Sequence, residues 1–412
     1  MRRSVITGIG VVSPLGCDLK VFWDRMKSGQ SGIKPVTKFD VTGYDSRIAG
    51  QVEGFDPTAF IEKKEVRRMD EFCHFAVAAA KMAIADSGLD MSKENPERAG
   101  VIAGSGIGGL QTLQTQHSIL LEKGPSRCSP FMIPMMITNI AAGLIAIRHN
   151  MKGPNFSIIT ACATGLHSVG EAMKIIQRDD ADIMVVGGAE AAVCELGLAG
   201  FSSMGALSVR NDEPTRASRP FDAERNGFVI AEGAGIVVVE EMEHARRRNA
   251  QMYCEVAGFG MTCDAFHITA PDEDGDGARR AMQLAIRDAG LNPGDIQYIN
   301  AHGTSTKLND KIETLAIKKA LGEEHARRVM VSSTKSMTGH LLGAAGGIET
   351  AVCALALRDG VVPPTINYEN PDPECDLDYV PNQSRDVKIK ACLNNSLGFG
   401  GHNGCLAMRR MD

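Results

Sequence analysis

Two seven-residue segments, 83–89 (AIADSGL) and 285–291 (AIRDAGL), agree in residue order, and each closes a helical stretch. A short loop and a buried strand follow in both cases: VIAG running into Ser105 in the first, YINA running into His302 in the second. A third unit recurs in the same order. Residues 155–172 read as strand, turn and helix with Cys162 at the turn. The strand 329–332, the turn SSTKSMTGH and the apolar helix 341–357 repeat that unit, with His340 near the turn. One echo carries little weight, because helix ends resemble each other; three units in one order predict a duplicated α/β domain. A chain of 412 residues has room for two such units. The reading divides it into halves at 1–250, carrying Cys162, and 251–412, carrying both histidines.

Around Cys162 an apolar β-type run, 156–159, gives way to the small residues Thr160, Ala161, Ala163, Thr164 and Gly165. Leu166, Val169, Met173 and Ile176 then fall on one helix face. A thiol at such a turn meets the positive end of the helix dipole, which favours the thiolate, and its small neighbours leave it open to a substrate. A buried structural cysteine fits the same stretch. The duplication decides between them. If the halves pack as pseudo-twofold mates, Cys162 and His340 occupy related turns, and His302 ends a strand near the same centre. Sites in α/β sheets form beyond strand C-termini. One histidine there is ordinarily structural; two directed at a helix-start cysteine point to catalysis.

The remaining patterns narrow the class. Gly104-Ser105-Gly106-Ile107-Gly108-Gly109 matches the dinucleotide fingerprint G-x-G-x-x-G. It lies far from the first βα turn, and Glu122, the acidic residue at about the right distance, sits in a polar helix. A dehydrogenase reading is therefore weak. Net charge is −6, which gives no reason to expect a nucleic-acid partner. Eleven cysteines without a C-x-x-C pair argue for a reducing, cytoplasmic setting and against a disulfide framework or a zinc site. The stretch after Arg2 and Arg3 is broken by Gly8, Gly10 and Pro14, so it reads as a first strand rather than a signal peptide. No apolar run is long enough for a membrane span. The excursion 107–153, with its Met-rich segment 129–139, is long enough to line a pocket or an interface. The charged block 62–68 reads first as a solvated helix face.

The segments TACATG around Cys162, NAHGTST around His302, SSTKSMTGHLLGAAGGIE around His340 and GFGGHN at 398–403 together resemble the condensing enzymes of fatty-acid synthesis. The resemblance is to the β-ketoacyl-acyl-carrier-protein synthases of the elongating type II class, and it covers essentially the whole chain. It implies a thiolase-like fold, two duplicated α/β halves packed as five layers αβαβα, and a homodimer. It further implies a decarboxylative Claisen condensation of malonyl-acyl-carrier protein with an enzyme-bound acyl chain. No resident cofactor or metal is implied, since phosphopantetheine arrives on the acyl carrier protein.

Carried over by position, Cys162 is the acyl-accepting nucleophile, and His302 and His340 are the pair serving the malonyl unit. The chemistry asks for the same parts: a thiol for acyl transfer, and donors aimed at the enolate left by loss of CO₂. The acyl oxyanion falls to the backbone N–H groups of Cys162 and, by resemblance, Phe399. Lys335 matches the family's active-site lysine and Glu349 the carboxylate that orders the site, roles compatible with a structural ion pair. Thr304 and Thr306 are implied to bind the phosphopantetheine amides. Phe399, between Gly398 and Gly400, is implied to swing as a gate, and Ile107 to wall a regulated acyl pocket. With an acidic carrier implied, Lys63, Lys64, Arg67, Arg68 and Arg127 become its docking residues.

Three positions depart from the pattern: Lys307 in place of a proline, His402 in place of a threonine and Gly205 in place of an arginine near the carrier entrance. A catalytically silent partner subunit is opposed by the intact Cys162. A polyketide-type ketosynthase shares every residue named.

Overall fold

The computed structural model describes residues 2–411. Five strands come first: β1 (Ser4–Val12), β2 (Ala99–Gly104), β3 (Asn155–Phe156), β4 (Ile183–Glu190) and β5 (Gly233–Glu241). Five more follow: β6 (Cys254–Cys263), β7 (Tyr298–Asn300), β8 (Met330–Ser332), β9 (Ala391–Gly398) and β10 (His402–Arg410). All join one ten-stranded sheet in the order β3-β2-β4-β5-β1-β6-β10-β9-β7-β8. Counted from its own first strand, each set of five runs 3-2-4-5-1, and the two copies meet through β1 and β6. The pairing senses repeat too. β1–β5 and β5–β4 are antiparallel and β4–β2 and β2–β3 parallel, as are β6–β10, β10–β9, β9–β7 and β7–β8 in turn.

The main helices are α1 (Leu19–Lys27), α2 (Glu71–Ser87), α3 (Leu110–Lys123), α4 (Ile140–His149), α5 (Thr164–Gln177), α6 (Glu195–Ser203), α7 (Asp276–Asp288), α8 (Lys307–Leu321) and α9 (Ala345–Asp359). α5 and α9 lie against each other and against strands of both sets, making the middle layer. α2 and α4 pack on the first set, α7 packs on the second, and α8 rests on α7, which completes αβαβα. Residues 345–357 of α9 are all buried, as expected for a helix apolar on every side. Glycine sets how closely the central helices approach. A Cβ on Gly346 would fall 2.3 Å from the Leu166 nitrogen.

The seven-residue echo has a physical cause. A Cβ on Gly8 or Gly10 would strike the carbonyls of Ala83 or Ala79 at 2.1 and 1.9 Å; on Gly258 or Gly260 it would strike Ala285 or Ala281 at 2.2 and 2.0 Å. Each helix end thus seats in a glycine notch of the first strand of its own half. The strand bulges beside the notch, leaving Thr7 and Ala257 without a partner in register. The aspartate shared by both echoes takes up a freed donor: Asp86 accepts from Ile9 N–H and Asp288 from Phe259 N–H, each at 2.9 Å. Gly88 and Gly290 then end the helices at φ 64° and 63°. The glycines that break the leader-like start of the chain serve this packing. Among the described residues no helix is long and apolar enough to cross a membrane.

Several local readings change. The run 156–159 contributes only the edge strand β3, because residues 157–160 leave the ladder to reach the nucleophile turn. α6 and α8, the latter opening at Lys307 five residues after His302, are helices outside the three repeated units.

Candidate active site

Cys162 lies in a 3₁₀ turn, Ala161–Ala163, that feeds α5. The equivalent turn, Leu342–Ala344, feeds α9. Ala161 and Leu342 hold the same left-handed conformation, φ 50° and 49°, a strained choice for side-chain-bearing residues. Superposing the turns by these residues makes Gly343 the mate of Cys162 and Ile159 the mate of His340. His340 is therefore not at a strand end. It follows the short helix Lys335–Thr338 and is held by backbone bonds, donating from its N–H to Val229 O at 2.8 Å and accepting from Ala231 N–H at 2.9 Å.

His340 Nε2 stands 3.0 Å from Cys162 Sγ. Its Nδ1 accepts from the Leu342 backbone N–H at 3.3 Å. A nitrogen that accepts carries no proton, so in the neutral ring the proton is on Nε2, facing the sulfur. His302 enters from the end of β7, its ring 5.3 Å from that of His340 and nearly perpendicular to it. Both backbone N–H groups at His302 and Gly303 donate to the buried Glu313 carboxylate at 2.8 Å, which fixes the turn. Burial, with the charge of Lys335 next, holds both imidazoles well below their ordinary pKa. They are neutral donors at physiological pH. The donor atoms of Cys162, His302 and His340 all lie within 4.8 Å of one another, a spacing open to a metal ion. Ligation through Nε2 would require the His340 proton on Nδ1, where Leu342 already donates, so the cluster is built to donate rather than to ligate.

The thiol itself is not held as a thiolate. Burial pushes Cys162 up to about 12, against the pull of Lys335 and of a hydrogen bond from Phe399 N–H, while Glu190 pushes it further up. The expectation from the helix dipole fails because the sulfur is almost completely enclosed and the buried carboxylates of Glu190 and Glu349 oppose a further negative charge. Lys335 and Glu349 form a buried ion pair, and burial lifts Glu349 to about 7 despite that lysine.

Phe399 sits at the tip of the β9–β10 hairpin, half-buried, with Gly400 and Gly401 beside it at φ 86° and 73°. Gly398 has no room for a side chain: a Cβ would lie 2.7 Å from Thr160 O and 3.2 Å from the Cys162 nitrogen. The hairpin is tied down by Asn403, whose Nδ2 donates to Asp264 at 2.6 Å. His402 packs its ring against Gly400.

These residues surround a cavity of about 750 Å³ lined by Cys162, His302, His340, Thr304, Thr306, Ile107 and Phe399. The Thr304 and Thr306 hydroxyls are 3.0 Å apart on one wall. Ile107 also lines it and is 38% exposed. Gly205 and Lys307 both lie at the lining as well. Lys63, Lys64, Arg67, Arg68 and Arg127 do not. They are exposed, with Lys64 paired to Glu62 at 2.8 Å and Arg68 stacked 4.8 Å over the Phe131 ring.

Glu190 was missed by sequence reasoning. Fully buried at the end of β4, it accepts from Ser105 Oγ at 2.5 Å and from the N–H groups of Gly106, Ile107 and Gly343 at 2.8, 3.2 and 3.0 Å. The glycine-rich segment 104–109 is thus a collar around a carboxylate. The donors a pyrophosphate would need are already spent on an anion, which disposes of the dinucleotide reading. The signal was a lone acid closing the apolar run IMVVGGAE. His167 is the other omission: it bonds Thr160 Oγ1 at 2.8 Å and lies 3.3 Å from Asn403 O, linking the nucleophile turn to the hairpin.

Comparison with known proteins agrees with this arrangement. Residues 1–245 match the model of the β-ketoacyl synthase N-terminal domain, and residues 253–369 that of its C-terminal domain. The chain is 54% identical over 409 residues to 3-oxoacyl-[acyl-carrier-protein] synthase 2 of Synechocystis, covering 99% of this chain and 98% of that protein. It is 51% identical to the protein of the same name from Coxiella burnetii, covering 100% and 99%. Among solved structures, a β-ketoacyl synthase from Burkholderia phymatum superposes with a TM-score of 0.93 at 34% identity, each chain covered in full. A type II polyketide ketosynthase, solved with its acyl-carrier protein, does so at 0.91 and 37%, again over the whole of both chains. The chain belongs to the β-ketoacyl synthase family.

Proposed function

We propose that the chain condenses malonyl-acyl-carrier protein with an acyl group held on Cys162, lengthening fatty acyl chains by two carbons. The observation that carries this reading is the meeting of one enclosed sulfur with two neutral imidazoles, His340 Nε2 lying 3.0 Å from Cys162 Sγ. In the first half-reaction the Cys162 sulfur bonds the acyl carbon and the carrier's C–S bond breaks, with the thiol proton leaving on the carrier sulfur. That exchange is proton-neutral, so a thiol raised to about 12 is no obstacle to its equilibrium. The oxyanion formed on the way is held by the N–H groups of Cys162 and Phe399. In the second, the malonyl C–CO₂ bond breaks, and its electron pair becomes an enolate whose oxygen accepts from His302 and His340. The enolate carbon then bonds the acyl carbon, the C–S bond to Cys162 breaks, and the departing thiolate takes one proton from water, which restores the thiol. Lys335 and Glu349 set the field around these groups.

Thr304 and Thr306 receive the phosphopantetheine amides, Ile107 bounds the acyl chain and Phe399 gates it. Lys63, Lys64, Arg67, Arg68 and Arg127 dock the acidic carrier. A homodimer is part of the proposal; β3 is an edge of the sheet, and Phe156 on it and Ile159 just after it are exposed apolar residues. Residues 1–250 and 251–412 are taken as its duplicated halves, in keeping with the repeated strand order. Fatty-acid elongation is favoured over polyketide work by the higher identity to the 3-oxoacyl synthases.

The test supplies acyl carrier and malonyl carrier together and follows products by mass. The reading expects one CO₂ and one β-ketoacyl carrier, two carbons longer, per turnover, and none from Cys162→Ala. Condensation by Cys162→Ala at the wild-type rate refutes it.

A further inference from the structure

Segment 302–307 runs along one wall of the cavity, presenting His302, then the hydroxyls of Thr304 and Thr306, then Lys307. Lys307 is the one lysine or arginine lining that cavity among the described residues. Its side chain is exposed, and its ammonium has no ion-pair partner among them. Its backbone, by contrast, is held firmly. Arg225, 3% exposed, donates to Thr306 O at 3.1 Å and to Lys307 O at 2.9 Å, and is itself anchored on Asp372 at 2.6 Å. Lys307 also opens the 15-residue helix α8, where no side chain caps the free N–H groups. The helix end therefore adds positive potential beside the free ammonium. Asp264, the carboxylate in the same lining, accepts from Asn403 and forms no ion pair with Lys307.

Resting on the proposed function, we propose that Lys307 reads the phosphoryl group of the pantetheine arm that brings substrates into the cavity. The order of groups along the segment matches the order along such an arm: reacting thioester at His302, amides at the threonines, phosphate at Lys307. A free cation on a fixed backbone is suited to this, since only its own side chain must be ordered on binding. The carboxylates of the carrier protein are the competing anions, and the test separates them from the phosphate.

Calorimetry on the intact protein compares 4′-phosphopantetheine with pantetheine, neither of which carries carrier carboxylates or needs turnover. A single exposed charge pair to a phosphate predicts roughly fivefold tighter binding of the phosphorylated arm, fading with added salt. Lys307→Met removes that preference and leaves pantetheine binding as it was. Lys311→Met, one turn further along α8 and paired with Glu374 at 2.5 Å, keeps it. Equal preference in the wild type and Lys307→Met overturns the proposal, as does a loss of affinity for carrier-bound acyl groups alone, which would place Lys307 on the carboxylates. Failure of the whole protein to condense malonyl carrier, with the phosphate preference intact, would instead strike at the proposed function.

Discussion

Replacing His340 with alanine separates the two half-reactions. Its Nε2–H faces Cys162 Sγ at 3.0 Å, and its Nδ1 is engaged by Leu342 N–H at 3.3 Å, so the ring has a proton to give and no free lone pair for the thiol proton. Removing one preorganised donor from a developing oxyanion costs about 3 kcal/mol, roughly a hundred- to thousandfold in rate. Acyl transfer to Cys162 loses the hydrogen bond from Nε2–H to the sulfur, together with ring contacts to Phe228 and His302 that are the same before and during the transfer. One net hydrogen bond is worth about 1 kcal/mol, which puts the loss at roughly fivefold. The assay measures CO₂ release from carboxyl-labelled malonyl carrier and, separately, the acyl adduct on Cys162 by mass. Decarboxylation should fall by at least two orders of magnitude (about 100-fold) while acylation falls little. Equal losses in both would make His340 the base for the thiol and refute the tautomer argument.

Because burial and Lys335 hold both imidazoles far below their ordinary pKa, neither gains a proton as pH falls from about 8 to about 6, and in Glu349→Gln, which removes the carboxyl that titrates at about 7, decarboxylation should stay flat across that window. A rate in that variant that declines with a midpoint near an ordinary histidine value would contradict this. With its thiol pushed up to about 12, Cys162 should alkylate about tenfold faster per pH unit between about pH 7 and 9, without a plateau, followed by mass spectrometry of its peptide. Lys335→Met leaves Glu349 alone in a buried site and should destabilise the protein by about 3–5 kcal/mol in denaturant titration, with partial recovery in Lys335→Met/Glu349→Gln. Gly346→Ala forces a methyl to 2.3 Å from the Leu166 nitrogen and should cost about 1–3 kcal/mol, visible as a lowered melting temperature.

The duplication was legible because its marks are local and obligatory. Ala83, Asp86 and Gly88 each perform a task that Ala285, Asp288 and Gly290 repeat, so the helix ends could not diverge freely. Cys162 and the two histidines could be read from their motifs and from strand-end logic, although the logic misplaced His340, whose neighbours in space come from Val229 and Ala231. Helix α8 was not read from the sequence although Thr306 stands at its start; that hydroxyl bonds Thr304 instead of capping the helix. Glu190 escaped because its partners are backbone N–H groups far away in sequence. The thiol's raised pKa was beyond reach for a similar reason. It depends on how completely the later half of the chain covers the sulfur, a property of packing with no local signature.

The most direct measurement is a rapid-quench experiment that follows the mass of the Cys162 peptide after acyl carrier is mixed with the protein and malonyl carrier is then added. The account predicts an acyl adduct on Cys162 that forms first and then vanishes at the rate at which the lengthened β-ketoacyl carrier and CO₂ emerge. Product emerging with Cys162 never acylated would contradict it.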